Sequence, residues 1–264
     1  MNIFSVTDYE AILQQFEPIS LAEMEGVKLM NRIDTKFAMN IHQLPAVLLK
    51  AKALYFVQEI GHNRLATYDT VYYDTDDWDM YMRHHNRQLV RQKIRVRKYV
   101  ESHLTFLEIK RKTNQGRTKK KRIAIAGFNP QSNDIGHGKE DVKIADFIEQ
   151  KSRYTWDMIS PHLRTFFRRI TLVNKQKTER VTIDLNLEWT NILNASKKCY
   201  PDLVVVEVKR DGNSHSPIMQ ILNEARVHPF KISKYCIGTA LTTPRLKKNR
   251  FKDKIRRIEK MLAI

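Results

Sequence analysis

The sequence predicts an α+β fold, a closed antiparallel β-barrel of roughly eight strands surrounded by helices. Three observations lead there. The first is a two-residue period in segments where one face is apolar. Ile94 and Val96 alternate with Lys93, Arg95, Arg97 and Tyr99; Leu107 and Ile109 flank Glu108; Val206 and Val208 flank Glu207; Val181, Ile183, Leu185 and Leu187 alternate with Thr182, Asp184 and Asn186. Successive side chains of a strand point to opposite faces, so each segment has one apolar and one polar side. The second is that the polar sides carry charge rather than Ser or Thr, with cations in excess, as expected if they line one lumen. A single strand of this kind fits a sheet with one wet face equally well; it is the repetition that favours a lumen. The third is that helical periods occur between and around the strands, with no internal repeat and no convincing linker over 264 residues, so the chain reads as one domain.

The elements follow in order. Tyr9, Ile12, Leu13 and Phe16 have helix spacing over Asp8–Phe16, and Ser20 is placed to cap a helix at Leu21–Glu25. A strand is expected over Lys28–Ala38, with Arg32, Asp34 and Lys36 on one face, and Asn40 then caps a helix running towards Leu54. Strands are expected at Ala66–Tyr73, Gln88–Val100, Leu104–Arg111 and Lys119–Ala126, the last two joined by a turn at Asn114-Gln115-Gly116. Gly127–Lys139 is rich in Asn, Pro, Ser and Gly and reads as a loop. Helical pattern returns at Val142–Lys151 and Pro161–Phe167, then strands at Arg168–Asn174, Arg180–Trp189 and Leu203–Lys209. Helices at Pro217–Ala225 and Ser233–Leu241 complete a core of about residues 27–241, and residues 245–264 form a basic helix with Phe251, Ile255, Ile258 and Leu262 on one stripe. Its apolar stripe is expected to pack on the domain.

Charge narrows the partner. The net charge is +18, and Arg83–Arg122 alone carries 15 Lys or Arg against two acids, Glu101 and Glu108. The excess therefore sits in strands and not in a basic tail, and it calls for an acidic partner. Only Tyr99 and Phe106 are aromatic in that block, too few for the stacking that single-stranded nucleic acid requires, which argues against nucleic acid. Cys199 and Cys236 have no pairing or zinc spacing. With no signal-peptide pattern in residues 1–15 and no apolar run approaching about 18 residues, a cytoplasmic protein without a membrane segment is expected.

Several segments, in order, resemble the polyphosphate polymerase domain of vacuolar transporter chaperone (VTC) proteins, members of the CYTH-like triphosphate tunnel metalloenzymes. They are Leu29-Met30-Asn31-Arg32-Ile33-Asp34-Thr35-Lys36-Phe37, Tyr72-Tyr73-Asp74-Thr75, Arg95-Val96-Arg97 and Phe106-Leu107-Glu108-Ile109-Lys110, then Arg180-Val181-Thr182-Ile183-Asp184, Val206-Glu207-Val208-Lys209 and Ile232-Ser233-Lys234-Tyr235. The resemblance implies a tunnel that binds triphosphate groups and a divalent metal, Mn²⁺ or Mg²⁺, with ATP and inorganic polyphosphate as partners. It implies phosphate-handling roles for Lys36, Arg95, Arg97, Lys110, Lys120, Arg169, Ser233 and Lys234, and metal binding by Glu207. Of these, Arg95, Arg97, Lys110, Arg169 and Lys234 are expected to act in catalysis, and Lys36, Lys120 and Ser233 in substrate binding. Arg122 and Lys209 join the substrate-binding set on strand parity, and Glu108 and Asp184 share the same tunnel-facing parity. Hydrolytic tunnel enzymes open with Glu-x-Glu-x-Lys; here Asn31, Arg32, Ile33, Asp34 and Lys36 occupy that stretch, which favours γ-phosphoryl transfer from ATP to a polyphosphate chain over a triphosphatase. A triphosphatase and a non-catalytic polyanion binder stay open as alternatives.

Overall fold

The computed structural model describes residues 8–25, 32–126, 139–212 and 214–263. The expected loop at 127–138 and the start of the first expected strand, residues 28–31, lie outside them. Short elements lead in: α1 (Asp8–Leu13), β1 (Glu17–Ile19) and α2 (Leu21–Glu25). Ser20 caps α2 as anticipated, and Glu23 closes the box by accepting from the Ser20 backbone N–H at 2.8 Å. Then come β2 (Arg32–Asn40), α3 (Leu44–Ala51), β3 (Tyr55–Gln58), β4 (Ala66–Asp74), α4 (Asp79–His85), β5 (Arg91–Tyr99), β6 (Leu104–Lys112) and β7 (Thr118–Ala124). The second part holds α5 (Lys139–Lys151), β8 (Ser160–Asn174), β9 (Glu179–Asn191), β10 (Lys197–Tyr200), β11 (Leu203–Asp211), α6 (Pro217–Glu224), α7 (Lys234–Thr242) and α8 (Asn249–Leu262).

Eight strands form one curled antiparallel sheet in the order β2-β11-β9-β8-β4-β5-β6-β7. β2 and β7 stand at its two ends, and no ladder joins them among the described residues. The α+β antiparallel sheet with surrounding helices is thus as expected, in the form of a half-barrel. The alternation explains why it curls around a charged interior. Outside β4, β5 and β6, Val71, Tyr73, Ile94, Val96, Leu107 and Ile109 pack with Ile144 and Ile148 of α5. Outside β2, β8, β9 and β11, Phe37, Ile170, Leu172, Val181, Ile183, Val206 and Val208 pack with Leu44, Val47 and Leu48 of α3 and Ile218 and Leu222 of α6. Burying each such side chain is worth about 1.5–3 kcal/mol, so the apolar parity has to face the helices and the charged parity has to face inward.

A third cluster closes one end of the concave side. Ala38, Tyr68, Tyr72, Phe167 and Val205 pack there with Tyr235, Cys236, Ile237 and Ala240 of α7 and Phe251 and Ile258 of α8. The stripe of the basic C-terminal helix therefore packs on the domain as expected, with Ile258 fully buried. Gly238 is needed in α7, because a Cβ there would run into the indole of Trp189.

One expected element is corrected. Pro161–Phe167 is the start of strand β8 and not a helix. Leu163, Thr165 and Phe167 are buried while Arg164 and Phe166 are less so, a two-residue period, and the segment pairs with β4 on one side and β9 on the other. The pairing with β9 shifts register between Phe166 and Arg168, where Asn186 takes a left-handed φ of 51°.

Candidate active site

The curled sheet encloses a cavity of about 1500 Å³ lined by side chains from all eight strands. Strand parity brings nine of the eleven predicted site residues to its wall: Lys36, Arg95, Arg97, Lys110, Lys120, Arg122, Arg169, Glu207 and Lys209. Register sets their neighbours. Tyr72, Arg95, Glu108 and Arg122 stand side by side across β4 to β7, as do Lys93, Lys110 and Lys120. Lys36, Glu207, Thr182 and Thr171 do the same across β2, β11, β9 and β8. The other two, Ser233 and Lys234, sit at the start of α7. Ser233 caps that helix by accepting from the Cys236 N–H at 3.3 Å, and it also accepts from Lys93 Nζ at 2.9 Å.

Three carboxylates divide the cations among them. Glu108 is fully buried; one oxygen accepts from Arg95 Nη2 at 2.6 Å and Nε at 2.8 Å, and the other pairs with Lys120. Asp184 accepts from both Arg169 Nε at 2.5 Å and Nη2 at 2.9 Å and pairs with Lys234. Glu207 is held less closely, 3.3 Å from Lys209 Nζ and 3.7 Å from Lys36 Nζ. Burial pushes each of these carboxyls up, but the surrounding cations outweigh it and all three are held well below the usual carboxylate range. They are ionised at neutral pH.

The cations feel one another. Arg95 and burial, followed by Arg97, push Lys110 well below the ordinary lysine range. Burial, and then Arg169, brings Lys209 down to about 8 against the pull of Glu207. Arg97 donates from Nε to Thr70 at 3.1 Å and lies 5.2 Å from the Tyr68 ring centroid, with no carboxylate bonded to it among the described contacts. Tyr72 accepts from Arg95 at 3.1 Å; burial raises its phenol, but Arg95, Arg97 and Lys93 overcome that and bring it to about 8. A wall of this kind is short of negative charge, and an entering polyanion would supply it.

Six cations of this wall stand outside the predicted site set: Arg32, Arg91, Lys93, Lys112, Arg117 and Arg180. Lys93 has the parity of Arg95 and Arg97, and Arg180 that of Thr182 and Asp184, so alternation alone was sufficient to find them. Among the described residues no group of three or more His, Cys, Asp or Glu side chains is arranged to hold a metal ion. Of Glu108, Asp184 and Glu207, only Glu207 makes no ion pair with an arginine among the described residues, which leaves it the most open of the three to a cation.

A model of the VTC domain matches residues 31–243 of this sequence. The chain belongs to the VTC domain family. No curated protein matches it. Among solved structures, this VTC domain is similar to a protein from Vibrio parahaemolyticus proposed to be an adenylate cyclase, at 9% identity and a TM-score of 0.46, covering 80% of this chain and 99% of the other. It is similar to a Hippeastrum protein proposed to be an adenylyl cyclase and described as having a dominant triphosphatase activity, at 15% identity, TM-score 0.43, covering 82% and 99%. A Pyrococcus horikoshii protein follows at 11% identity, TM-score 0.42, covering 79% and 98%. These likenesses are distant and carry no residue roles to the VTC domain. No helix among the described residues is long and apolar enough to cross a membrane.

Proposed function

We propose that this VTC domain is an ATP–polyphosphate phosphotransferase, which moves the γ-phosphoryl group of ATP onto the end of an inorganic polyphosphate chain inside the lumen. The observation that carries this reading is the convergence of eight predicted cations and Glu207 on one cavity, beside membership of the VTC domain family. Closure of the half-barrel into a tunnel belongs to the same proposal. It is supported by Asp34 and Lys36 of β2 lining the same cavity as Lys120 and Arg122 of β7.

Phosphoryl transfer asks the protein for positioning and charge neutralisation more than for covalent chemistry. The terminal oxygen of a polyphosphate chain is anionic at neutral pH and needs no general base. It forms a bond to the γ-phosphorus of ATP while the bond from that phosphorus to the β–γ bridging oxygen breaks, and the electron pair leaves on ADP. The difficulty is to hold two polyanions together. Arg95, Arg97 and Arg169 offer planar forks for bidentate phosphate contacts, and Lys36, Lys110, Lys120, Lys209 and Lys234 offer point charges. Arg122 extends the row from Glu108, and Ser233 places its hydroxyl beside Lys93. Glu207 fits a Mn²⁺ or Mg²⁺ that arrives on the phosphates, since a hard cation of this type keeps several waters and needs one or two protein carboxylates. When bound, that ion would neutralise charge on the phosphate oxygens.

The test is incubation of purified protein with ATP and Mn²⁺ or Mg²⁺, with products resolved on a polyphosphate gel beside Glu207→Gln. Chains with matching ADP, lost in the variant, are expected. Free phosphate without chains would make the protein a triphosphatase, and polyphosphate binding with no turnover would make it a binding module.

A further inference from the structure

Three lysines from three elements are held by three successive residues ahead of α7. Lys254 of α8 donates from Nζ to the Lys231 carbonyl at 2.7 Å, Lys36 of β2 to the Ile232 carbonyl at 3.2 Å, and Lys93 of β5 to the Ser233 hydroxyl at 2.9 Å. All three acceptors are neutral. Arg91 of β5 likewise gives Nη1 to a carbonyl, that of Gln88, at 2.6 Å. His84, in the last turn of α4, lines the same cavity as Lys36, Arg91 and Lys93. Its Nδ1 is buried and has no hydrogen-bond partner among the described residues. Phe251 of α8 covers another side, its ring centroid 6.3 Å from that of His84. The charged groups that act on His84 most strongly are Lys93, Arg91, Lys254 and Lys36, all cations, while Arg83 of its own helix is engaged by Asp79 at 2.6 Å. Burial, and then those four cations, bring the imidazole down to about 2, so it is neutral in the empty lumen.

A phosphate group supplies the anion that this cluster lacks, and the end of a phosphate chain differs here from its interior. An internal phosphate carries about one negative charge near neutrality, whereas a terminal one has a second ionisation at about pH 6 and approaches a charge of about two. The larger charge favours the protonated form of an adjacent imidazole more strongly. We propose that His84, with Lys36, Arg91 and Lys93, forms a subsite for a terminal phosphate group, in which the imidazole takes up a proton from solvent and becomes a donor to that phosphate. The subsite thereby tells a chain end from a chain interior. Lys254 stands behind it and helps to keep the imidazole neutral until a phosphate arrives. That lysine lies on α8, beyond the residues 31–243 that match the VTC domain. The subsite presupposes the phosphate reading of the lumen.

Linear tripolyphosphate has terminal phosphates and cyclic trimetaphosphate has none, so the pair isolates the chain end. Titration calorimetry of both ligands with wild type and His84→Asn, at about pH 6 and about pH 9, brackets the ordinary histidine range. At the lower pH the variant is expected to bind tripolyphosphate about tenfold more weakly, the lower range for one charge-assisted contact. At the higher pH the bound imidazole loses its proton, and the difference should shrink to within about threefold. Trimetaphosphate should change by less than about twofold at either pH. Buffers of different ionisation enthalpy should show wild type taking up more protons from solution than the variant with tripolyphosphate; both see the same ionisation of the ligand, so the difference belongs to His84. Carbon-13-labelled histidine reads the same event in wild type without any substitution: one imidazole should become imidazolium on addition of tripolyphosphate and stay neutral with trimetaphosphate. Equal losses for the two ligands, a loss for tripolyphosphate that ignores pH, or no loss would overturn the subsite. Wild type that binds neither ligand would overturn the phosphate reading of the lumen and the subsite with it. Wild type that binds tripolyphosphate tightly while no imidazole changes its charge would overturn the subsite alone.

Discussion

Glu108 should be worth more to the empty protein than to the loaded one. Its carboxylate is fully buried and serves Arg95 and Lys120 together, with Arg97 close enough to lower its pKa further. Glu108→Gln keeps the volume and an acceptor oxygen for Arg95 but removes the charge. Breaking a buried ion pair by neutralising one member typically costs about 3–5 kcal/mol, because the remaining charge is left uncompensated. At about 2–4 °C per kcal/mol for a chain of this size, the melting temperature should fall by about 10 °C. Tripolyphosphate should reverse much of this. A ligand at a hundred times its dissociation constant adds about 2.7 kcal/mol to any binder. The variant should gain more than wild type at equal ligand concentration, since its arginine and lysine no longer have to leave a carboxylate in order to meet phosphate. Thermal unfolding of both proteins, with and without tripolyphosphate, gives all four numbers. A variant as stable as wild type, or one that gains less from the ligand, would refute the view that Glu108 is a counter-ion which phosphate replaces.

Three more expectations concern the same groups. Lys209 is brought down to about 8 in the empty lumen, and an anion beside it raises it again, so binding of tripolyphosphate between about pH 8 and 10 should take up a proton and affinity should fall as pH rises; calorimetry in buffers of different ionisation enthalpy reads that proton, and zero uptake would refute it. Glu108 and Asp184 have folded pKa values depressed from about 4.5 and 3.8, so the stability they contribute is complete above those values and is lost as pH falls through the lower folded ones. Denaturant titrations should therefore show a flat contribution near neutrality and a decline below about pH 4. Gly238→Ala drives a methyl into Trp189, whose Nε1 donates to the Lys234 carbonyl at 2.9 Å. It should destabilise by at least about 1–3 kcal/mol and shift the start of α7, so that triphosphate binding falls as well; unchanged binding would separate α7 from the site.

Parity made most of this legible. In β5, β6, β9 and β11 the aliphatic set found a helix to pack on, and cations of the alternate set found the lumen. That is why Lys36, Arg95, Arg97, Lys110 and Glu207 could be placed from the sequence. The errors fall where the signal is not local. Pro161–Phe167 has helix-like spacing of Leu163, Phe166 and Phe167, and its strand state is decided by two neighbouring strands far away in sequence. Helix α4 was not anticipated, because its first N–H groups are satisfied from the end of β4: Asp74 accepts from Met80 at 2.8 Å and Tyr81 at 2.9 Å, while Trp78 at the cap position offers no side-chain acceptor. β3 and β10 are four residues each, too short for a period to register. The ion-pair assignments, Glu108 to Arg95 and Asp184 to Arg169, depend on register between strands, which no single strand encodes.

Glu108, Asp184 and Glu207 are not equivalent, and the difference matters for how a cavity lined by so many cations holds together. Two like charges about 5 Å apart repel by about 3 kcal/mol at an effective dielectric of 20, and cations of this wall do act on one another, Arg95 and Arg97 on Lys110 and Arg169 on Lys209. Glu108 and Asp184 reduce that cost from beneath. Each is buried, bonded to an arginine fork and paired with one lysine, so each fixes the direction of a guanidinium before any ligand arrives. Cations fixed in this way need little reorganisation when charge moves between phosphates, which is the condition under which electrostatic stabilisation is most effective. Glu207 stands apart. Its lysines are 3.3 and 3.7 Å away, too distant for strong hydrogen bonds, and both can swing to a phosphate. Once they do, Glu207 is left ionised and facing the phosphates without a partner, the state in which a carboxylate takes up a divalent cation. On the proposed role of Glu207 as the metal ligand, the binding event that occupies its lysines also frees it for the cation.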